Sequence, residues 1–298
     1  MSMSVQRRWV TLSVTVISAG ALVIAGASPA SAAPIGLGEA TSFSVLAGQT
    51  VTNTGSSVIS GNVGVSPLAS VTGFFPPGIV TAPASIFGPP AADGPKADLT
   101  AAYLVAAGLP GATPLAVELG NSTLVPGVYS GGTFGISAGP PLVLDAGSDP
   151  NAVWVFQVSS TLITGSGSVV SLINGASACN VFWQVGSSAT LGSDSTMVGT
   201  VMALTDIDTG DETLVTGRLL ARNGEVRLIN TTINTPPACI AASSFSGPGG
   251  VPLPAAGPSL PVMGVDLPWL AWSLSLVAIL AGATGVVVSA TRRRAARS

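Results

Sequence analysis

Residues 188–204 read SATLGSDSTMVGTVMAL, residues 205–222 read TDIDTGDETLVTGRLLAR, and a shorter block, NGEVRLINTTINTP, begins at Asn223. The two full blocks are nearly equal in length, and GTVMA (Gly199–Ala203) returns as GRLLA (Gly217–Ala221). Leu191, Ile207 and Val226 open comparable apolar positions. Each block holds several short runs of β-prone residues separated by Gly, Ser, Asp or Asn. A period this short predicts a β-solenoid, because one coil cannot bury its own apolar side chains whereas stacked coils bury one another's. A β-sandwich is the competing reading of short apolar runs, but it needs longer strands joined by hairpin turns.

Outward from these blocks, the whole region from Pro34 to Ile240 keeps the same texture of short β-rich runs between turn residues, which favours an all-β domain. One segment departs from it. In DGPKADLTAAYLVAAGLPG, Asp93 offers an N-cap, Pro95 suits the first turn, the body runs to Ala107, and Gly108-Leu109-Pro110 stops it. Leu99, Tyr103 and Leu104 are taken as its apolar face, so this single helix is expected to lie against the solenoid.

Composition removes several kinds of chemistry. The 298 residues include no His and two Cys, which excludes Ser-His-Asp and Cys-His catalysis, His-ligated zinc and an all-cysteine zinc site. Only 10 Lys+Arg and 13 Asp+Glu are present. Between Ala33 and Pro258 twelve acids face four bases, Lys96, Arg218, Arg222 and Arg227, and such a balance does not suit nucleic acid, which needs clustered cations.

The two ends carry their own signals. Arg7 and Arg8 precede an uncharged run from Val10 to Gly26, and Ala30-Ser31-Ala32 fits the small-residue rule of signal peptidase. Residues 1–32 are therefore expected to be a signal peptide, with a retained anchor as the alternative. The folded domain is expected over 33–241, a Pro/Gly-rich tether over 242–266, a transmembrane helix over 267–291, and a basic cytoplasmic tail over 292–298. Leu253-Pro254-Ala255-Ala256-Gly257 resembles a sortase sorting signal with Ala in place of Thr, so covalent attachment to the cell wall competes with the membrane anchor. Both readings put an exported domain on the cell surface. Two cysteines in an exported chain, Cys179 and Cys239, are expected to form a disulfide near a solenoid corner.

Six strings in order extend these readings: TSFSVLAGQTVTNTGSSVISGNVGVSP, VTGFFPPG, LVPGVYS, VWVFQVSSTL, NVFWQVGSSATLGSDSTMVGTVMA and GRLLARNGEVRL. Together they resemble the microbial ice-binding proteins that fold as a discontinuous right-handed β-helix, over nearly all of Ile35 to Ile240. The resemblance implies a triangular solenoid with one long helix alongside, its N-terminal strands docked onto coils of the C-terminal half. It also implies a monomer without cofactors that adsorbs to an ice crystal surface through one flat β-face. Mapped string by string, that face holds Thr52, Thr72, Thr190, Asp208 and Arg227, with Gly135 and Ile163 as neighbours. Thr suits ice, since its methyl and hydroxyl sit on a stiff χ1. Asp208 and Arg227 do not, because a charge holds its own hydration shell. A non-catalytic surface or adhesive module without ice activity is the alternative.

Other residue groups carry weaker signals. Asp206-Ile207-Asp208-Thr209-Gly210-Asp211-Glu212 offers oxygen ligands around a Gly turn, as a calcium loop does, though its spacing is not that of an EF-hand. Asp206 or Asp208 beside Arg218, Arg222 or Arg227 would suit a polysaccharide-cleaving groove if they converged. Asn121-Ser122-Thr123 and Asn230-Thr231-Thr232 match glycosylation sequons. Trp154 and Trp183, set among apolar strand residues, are expected in the core.

Overall fold

The structure is a computed structural model that describes residues 34–241. The expected signal peptide, tether, sorting signal, membrane helix and basic tail lie outside the described residues. From the strand Phe134–Ile136 the chain passes through Leu142–Asp145 to Trp154–Val158, three strands on three faces. The next coil repeats the path through Leu162–Thr164, Val170–Ile173 and Val181–Val185. In the two following coils the second and third strands fuse into single long strands, Thr196–Ala203 and Leu214–Ala221. These two bend around a corner at Gly199 and Gly217, whose φ values are +100° and +147°. A Cβ at Gly217 would lie 1.9 Å from the Gly199 carbonyl oxygen, so the glycine heading GTVMA and GRLLA is what lets successive coils stack at this corner.

Every strand-to-strand ladder here is parallel, and the result is a right-handed β-helix of triangular section. The N-terminal segment completes it out of sequence order. Phe43–Ala47 pairs with Leu214–Ala221, Thr50–Thr54 with Val226–Ile229, and Val58–Ile59 with Thr232–Asn234. One detail of the repeat needs correction. Ala189, not Leu191, is the partner of Ile207 and through it of Val226, while Leu191 pairs with Thr209. Both Ala189 and Leu191 point inward, so an alignment slipped by two positions still looks apolar.

The interior is built from rows of side chains, one per coil. Tyr129, Phe156, Trp183, Val201, Leu219 and Val45 are successive ladder partners, and all are buried. Phe156 and Trp183 stack with ring centroids 3.9 Å apart and planes 9° from parallel. The Trp183 indole donates to the Val198 carbonyl at 2.9 Å, and the Trp154 indole to that of Leu124 at 3.1 Å. Both tryptophans are thus core residues whose polar atoms are satisfied, as aromatic burial requires. All members of the two apolar clusters fall between Ile35 and Ile233, so the described segment carries its own core.

The helix spans Asp93–Gly108, with Ala92 rather than Asp93 at the cap position; the Asp93 carboxylate instead accepts a bond from the Ser66 hydroxyl. Leu99, Ala102, Tyr103 and Ala106 face inward, against Leu46, Phe182, Met202 and Leu220. Leu104, expected on this face, is 56% exposed. Its position, one turn and a further step beyond Leu99, places it about 140° around the helix, away from the coil. Polar contacts fix both ends of the docked helix. The Lys96 ammonium donates to the carbonyls of Ala221 and Arg222 at 2.7 and 2.6 Å, and burial, reinforced by the Arg222 charge, lowers its pKa to about 8. Gln157 Nε2 donates to the carbonyls of Ala106 and Leu109 at 2.9 and 2.8 Å, taking up acceptors that a helix C-terminus leaves open.

Cys179 and Cys239 form the expected disulfide, joining the turn before Val181–Val185 to the short C-terminal helix Pro237–Ala241. Beside it Arg218, 2% exposed, donates twice to the Thr41 carbonyl and once to that of Cys239. One buried guanidinium therefore ties the first and last described segments to the same coil. Its burial lowers its pKa to about 10.

Candidate functional site

One face of the triangle is a seven-stranded sheet made of the strands Phe134–Ile136, Leu162–Thr164, Ala189–Leu191, Ile207–Thr209, Val226–Ile229, Thr50–Thr54 and Ser70–Thr72. Successive side chains alternate between the core and solvent, so the three-residue strands Phe134–Ile136, Leu162–Thr164, Ala189–Leu191 and Ile207–Thr209 each show one central residue outward, whereas Ser70–Thr72 turns its two end residues outward. Ladder partners place these outward residues in a single row: Gly135 beside Ile163, Ile163 beside Thr190, Thr190 beside Asp208. The row goes on with Asp208 beside Arg227, Arg227 beside Thr52, and Thr52 beside Thr72. All seven positions read from the sequence thus lie side by side, one per coil, about 4.8 Å apart. Ile163, Thr190, Arg227 and Thr72 are exposed, and Gly135, Asp208 and Thr52 are half-buried. Beneath them Phe134, Leu162, Ala189, Ile207, Val226 and Val51 are fully buried, which holds the row flat from below.

A second outward row escapes the sequence reading. It lies two positions before the first, at Thr133, Thr161, Ser188, Asp206, Glu225, Thr50 and Ser70. Five of its members carry hydroxyls. Thr133 and Thr161 share a hydrogen bond at 3.2 Å, Ser188 bonds the Thr205 hydroxyl at 2.7 Å, and Thr50 pairs with Ser70. Strand alternation alone carries the signal for it, since every residue two before a row member shares its face.

The charges in mid-row pair with one another. Arg227 Nη1 donates to Asp208 Oδ1 at 2.7 Å, and the same guanidinium bonds the Glu225 carboxylate. Glu225 Oε2 also accepts from the Thr50 hydroxyl at 3.1 Å. The centre of the face is therefore a partly exposed ion-pair cluster, with Ile163 and Thr190 on one side and Thr52 and Thr72 on the other.

The acids of the calcium-like string do not converge. Asp206 Oδ1 accepts from the Glu225 backbone at 2.9 Å, Asp208 holds Arg227, and Asp211 Oδ1 accepts from Asn230 Nδ2 at 2.6 Å. Glu212 sits in a corner turn with φ +56°. Among the described residues no three acids or cysteines gather as metal ligands. The arginines weighed for a catalytic groove are equally dispersed. Arg218 is buried in the core contacts above, Arg222 lies over the Tyr103 ring at 5.4 Å, and Arg227 stands on the flat face.

The order of these rows and the out-of-sequence N-terminal coil can be set against known proteins. A family model described as ice-binding-like matches residues 45–234. The chain belongs to the ice-binding-like family. An ice-binding protein of Nostoc sp. (strain HG1) is 45% identical to this ice-binding-like chain over 193 residues, covering 64% of it and 71% of the relative. One from Colwellia sp is 34% identical over 214 residues, covering 67% and 83%. A crystal structure of an ice binding protein from an Antarctic biological consortium superposes with a TM-score of 0.66 at 39% identity, over 70% of this chain and 94% of that one.

Proposed function

We propose that this chain is an ice-binding protein that adsorbs to ice through its seven-stranded face. The observation that carries the reading is the single row from Gly135 to Thr72, one side chain per coil on a face that no described element covers. Adsorption to a crystal is a sum of weak contacts, each small against the entropy of ordering the groups that make it. A rigid coil meets that cost in folding, so the row arrives at the ice surface already spaced. Thr190, Thr52 and Thr72 each offer a methyl and a hydroxyl on a restricted side chain. No bond is made or broken in this role. The test is ice-recrystallisation inhibition by a fragment of residues 33–258, which contains the whole described core. Activity at low concentration is expected, and its absence would point to a surface module of another kind.

The mid-row charges set the strength of that adsorption. Replacing both Asp208 and Arg227 by Thr is expected to strengthen recrystallisation inhibition while changing stability by no more than about 0.5 kcal/mol, as for other exposed positions. Single replacements are expected to gain less, because Asp208→Thr leaves Arg227 paired with Glu225 on the face, and Arg227→Thr leaves the Asp208 and Glu225 carboxylates without their partner. Comparing the two single variants with the double variant measures this coupling directly.

The domain is proposed to work outside the cell, held at its surface. The support is the signal-peptide pattern of residues 1–32, the uncharged run of 267–291 and the arginines that follow it. Deleting residues 267–298 is expected to release the protein into the medium, as measured by immunoblot of cells and supernatant. Mature protein ending within Leu253–Gly257 would instead identify sortase attachment.

A further inference from the structure

We infer that the adjoining face of the coil is a second ice-adsorbing surface, an inference that rests on the ice reading of the first face. It follows the seven-stranded face in chain order, around the corner formed by the turns at 192–195 and 210–213. Its outward residues form another row of ladder partners: Val169, Thr196, Leu214, Thr232, Val58 and Ile79. Leu214, Thr232, Val58 and Ile79 are exposed, and Met197, Val215, Ile233 and Ile59 beneath them are buried. Two positions along, Thr216 and Asn234 pair in a parallel outward row.

Three features fit a water lattice as the occupant. The first is charge. Neither row holds an ionised side chain, whereas the seven-stranded face carries an Asp–Arg–Glu cluster at its centre. The acids bordering the face sit in the corner turns, Asp194 before Thr196 and Asp211 and Glu212 before Leu214, with Asp211 held by Asn230; Asp145, at another corner, accepts from Gly147 and Asn174. The second is stiffness. Five of the six row members are β-branched, which fixes χ1 before any contact is made. The third is the contrast within this molecule. The face that does bind protein, under the helix, shows Leu46, Val155, Phe182, Met202 and Leu220, a large apolar surface suited to another side-chain layer. The row from Val169 to Ile79 instead interleaves Thr with short aliphatics and has none of the aromatic or Arg anchors that dominate protein interfaces. A neutral, rigid array in which methyl and hydroxyl groups alternate from Val169 to Val58 is complementary to a neutral lattice of water oxygens.

The experiment labels the 33–258 fragment with a fluorophore, freezes it onto single-crystal ice hemispheres, and compares wild type with Thr190→Tyr, Thr232→Tyr and the double variant. Leu214→Lys serves as a second probe of the new face, and circular dichroism confirms the fold of each. Thr190→Tyr is expected to keep labelling on a subset of crystal planes, Thr232→Tyr and Leu214→Lys to lose that subset, and the double variant to label none. If Thr190→Tyr labels no plane while Thr232→Tyr and Leu214→Lys match wild type, the second face is overturned and the first stands. If Thr190→Tyr changes nothing and Thr232→Tyr removes all labelling, the second face stands and the first fails. Labelling unaffected by Thr232→Tyr, with loss of self-association in sedimentation, would make this row an interface between copies and overturn the inference. A wild-type fragment that labels no plane would instead refute the ice reading on which the inference rests.

Discussion

Thr190→Tyr is expected to lower recrystallisation inhibition by about tenfold or more while leaving the β-helix folded. Thr190 is the exposed central residue of Ala189–Leu191, between inward-facing Ala189 and Leu191, so its side chain points to solvent. A larger outward residue therefore leaves the interior intact, and stability is expected to change by no more than about 0.5 kcal/mol. The effect on adsorption is of another order. A phenol ring standing proud of a flat row holds Ile163 on one side and Asp208 on the other away from the crystal, so several weak contacts are lost together. A loss of about 1.4 kcal/mol already means tenfold in an equilibrium constant. What activity remains is the part carried by the adjoining face. Circular dichroism and ice-recrystallisation assays on the same preparation separate the two effects.

Trp183→Ala is expected to be the most destabilising single change, at roughly 3–5 kcal/mol in denaturant unfolding, the range typical of large aromatic truncations in a core. Trp183 is fully buried, stacked on Phe156 at 3.9 Å, and partnered through its indole by the Val198 carbonyl. Its removal opens a cavity between two coils and leaves that carbonyl without its donor. The stack also links Tyr129 to the later coils, so the loss reaches beyond one turn of the helix. A change below about 1 kcal/mol would show that neighbouring coils close over the gap.

How much of this is legible in the sequence depends on coil length. Ala189 pairs with Ile207 and Thr196 with Leu214, the same step along the chain in both cases, and those coils show the repeat plainly. From Phe134 to its partner Leu162, and from Leu162 to Ala189, the step is about half as long again. The longer connections of these coils, including the turn that carries Cys179, erase the period while leaving the stacking unchanged. Within the readable blocks a slip of two positions at Leu191 is invisible to apolar pattern, whereas the glycine pair Gly199 and Gly217 gives the correct offset. Glycine marks a backbone requirement that Ala and Leu, interchangeable inside, do not.

The N-terminal coil is not readable from periodicity at all. Thr52 lies beside Arg227 although most of the described chain separates them, and only the resemblance to a known family places it there. Leu104 is misassigned because an apolar residue next to a buried one looks like core in a sequence; the helical angle decides otherwise. The adjoining face goes unread although Thr196, Leu214 and Thr232 recur at one constant step. Attention to threonine alone passes over a row in which leucine takes one of the places.

Ice itself gives the most direct test of the central claim. When a solution of the 33–258 fragment is frozen slowly onto a cold surface, an ordinary solute is driven ahead of the growing front. A protein with differential affinity for the crystal is overgrown and retained. The account predicts that the wild-type fragment is enriched in the ice fraction and that Thr190→Tyr moves most of it back to the liquid. Wild-type fragment excluded from ice as completely as a non-binding control protein would contradict it.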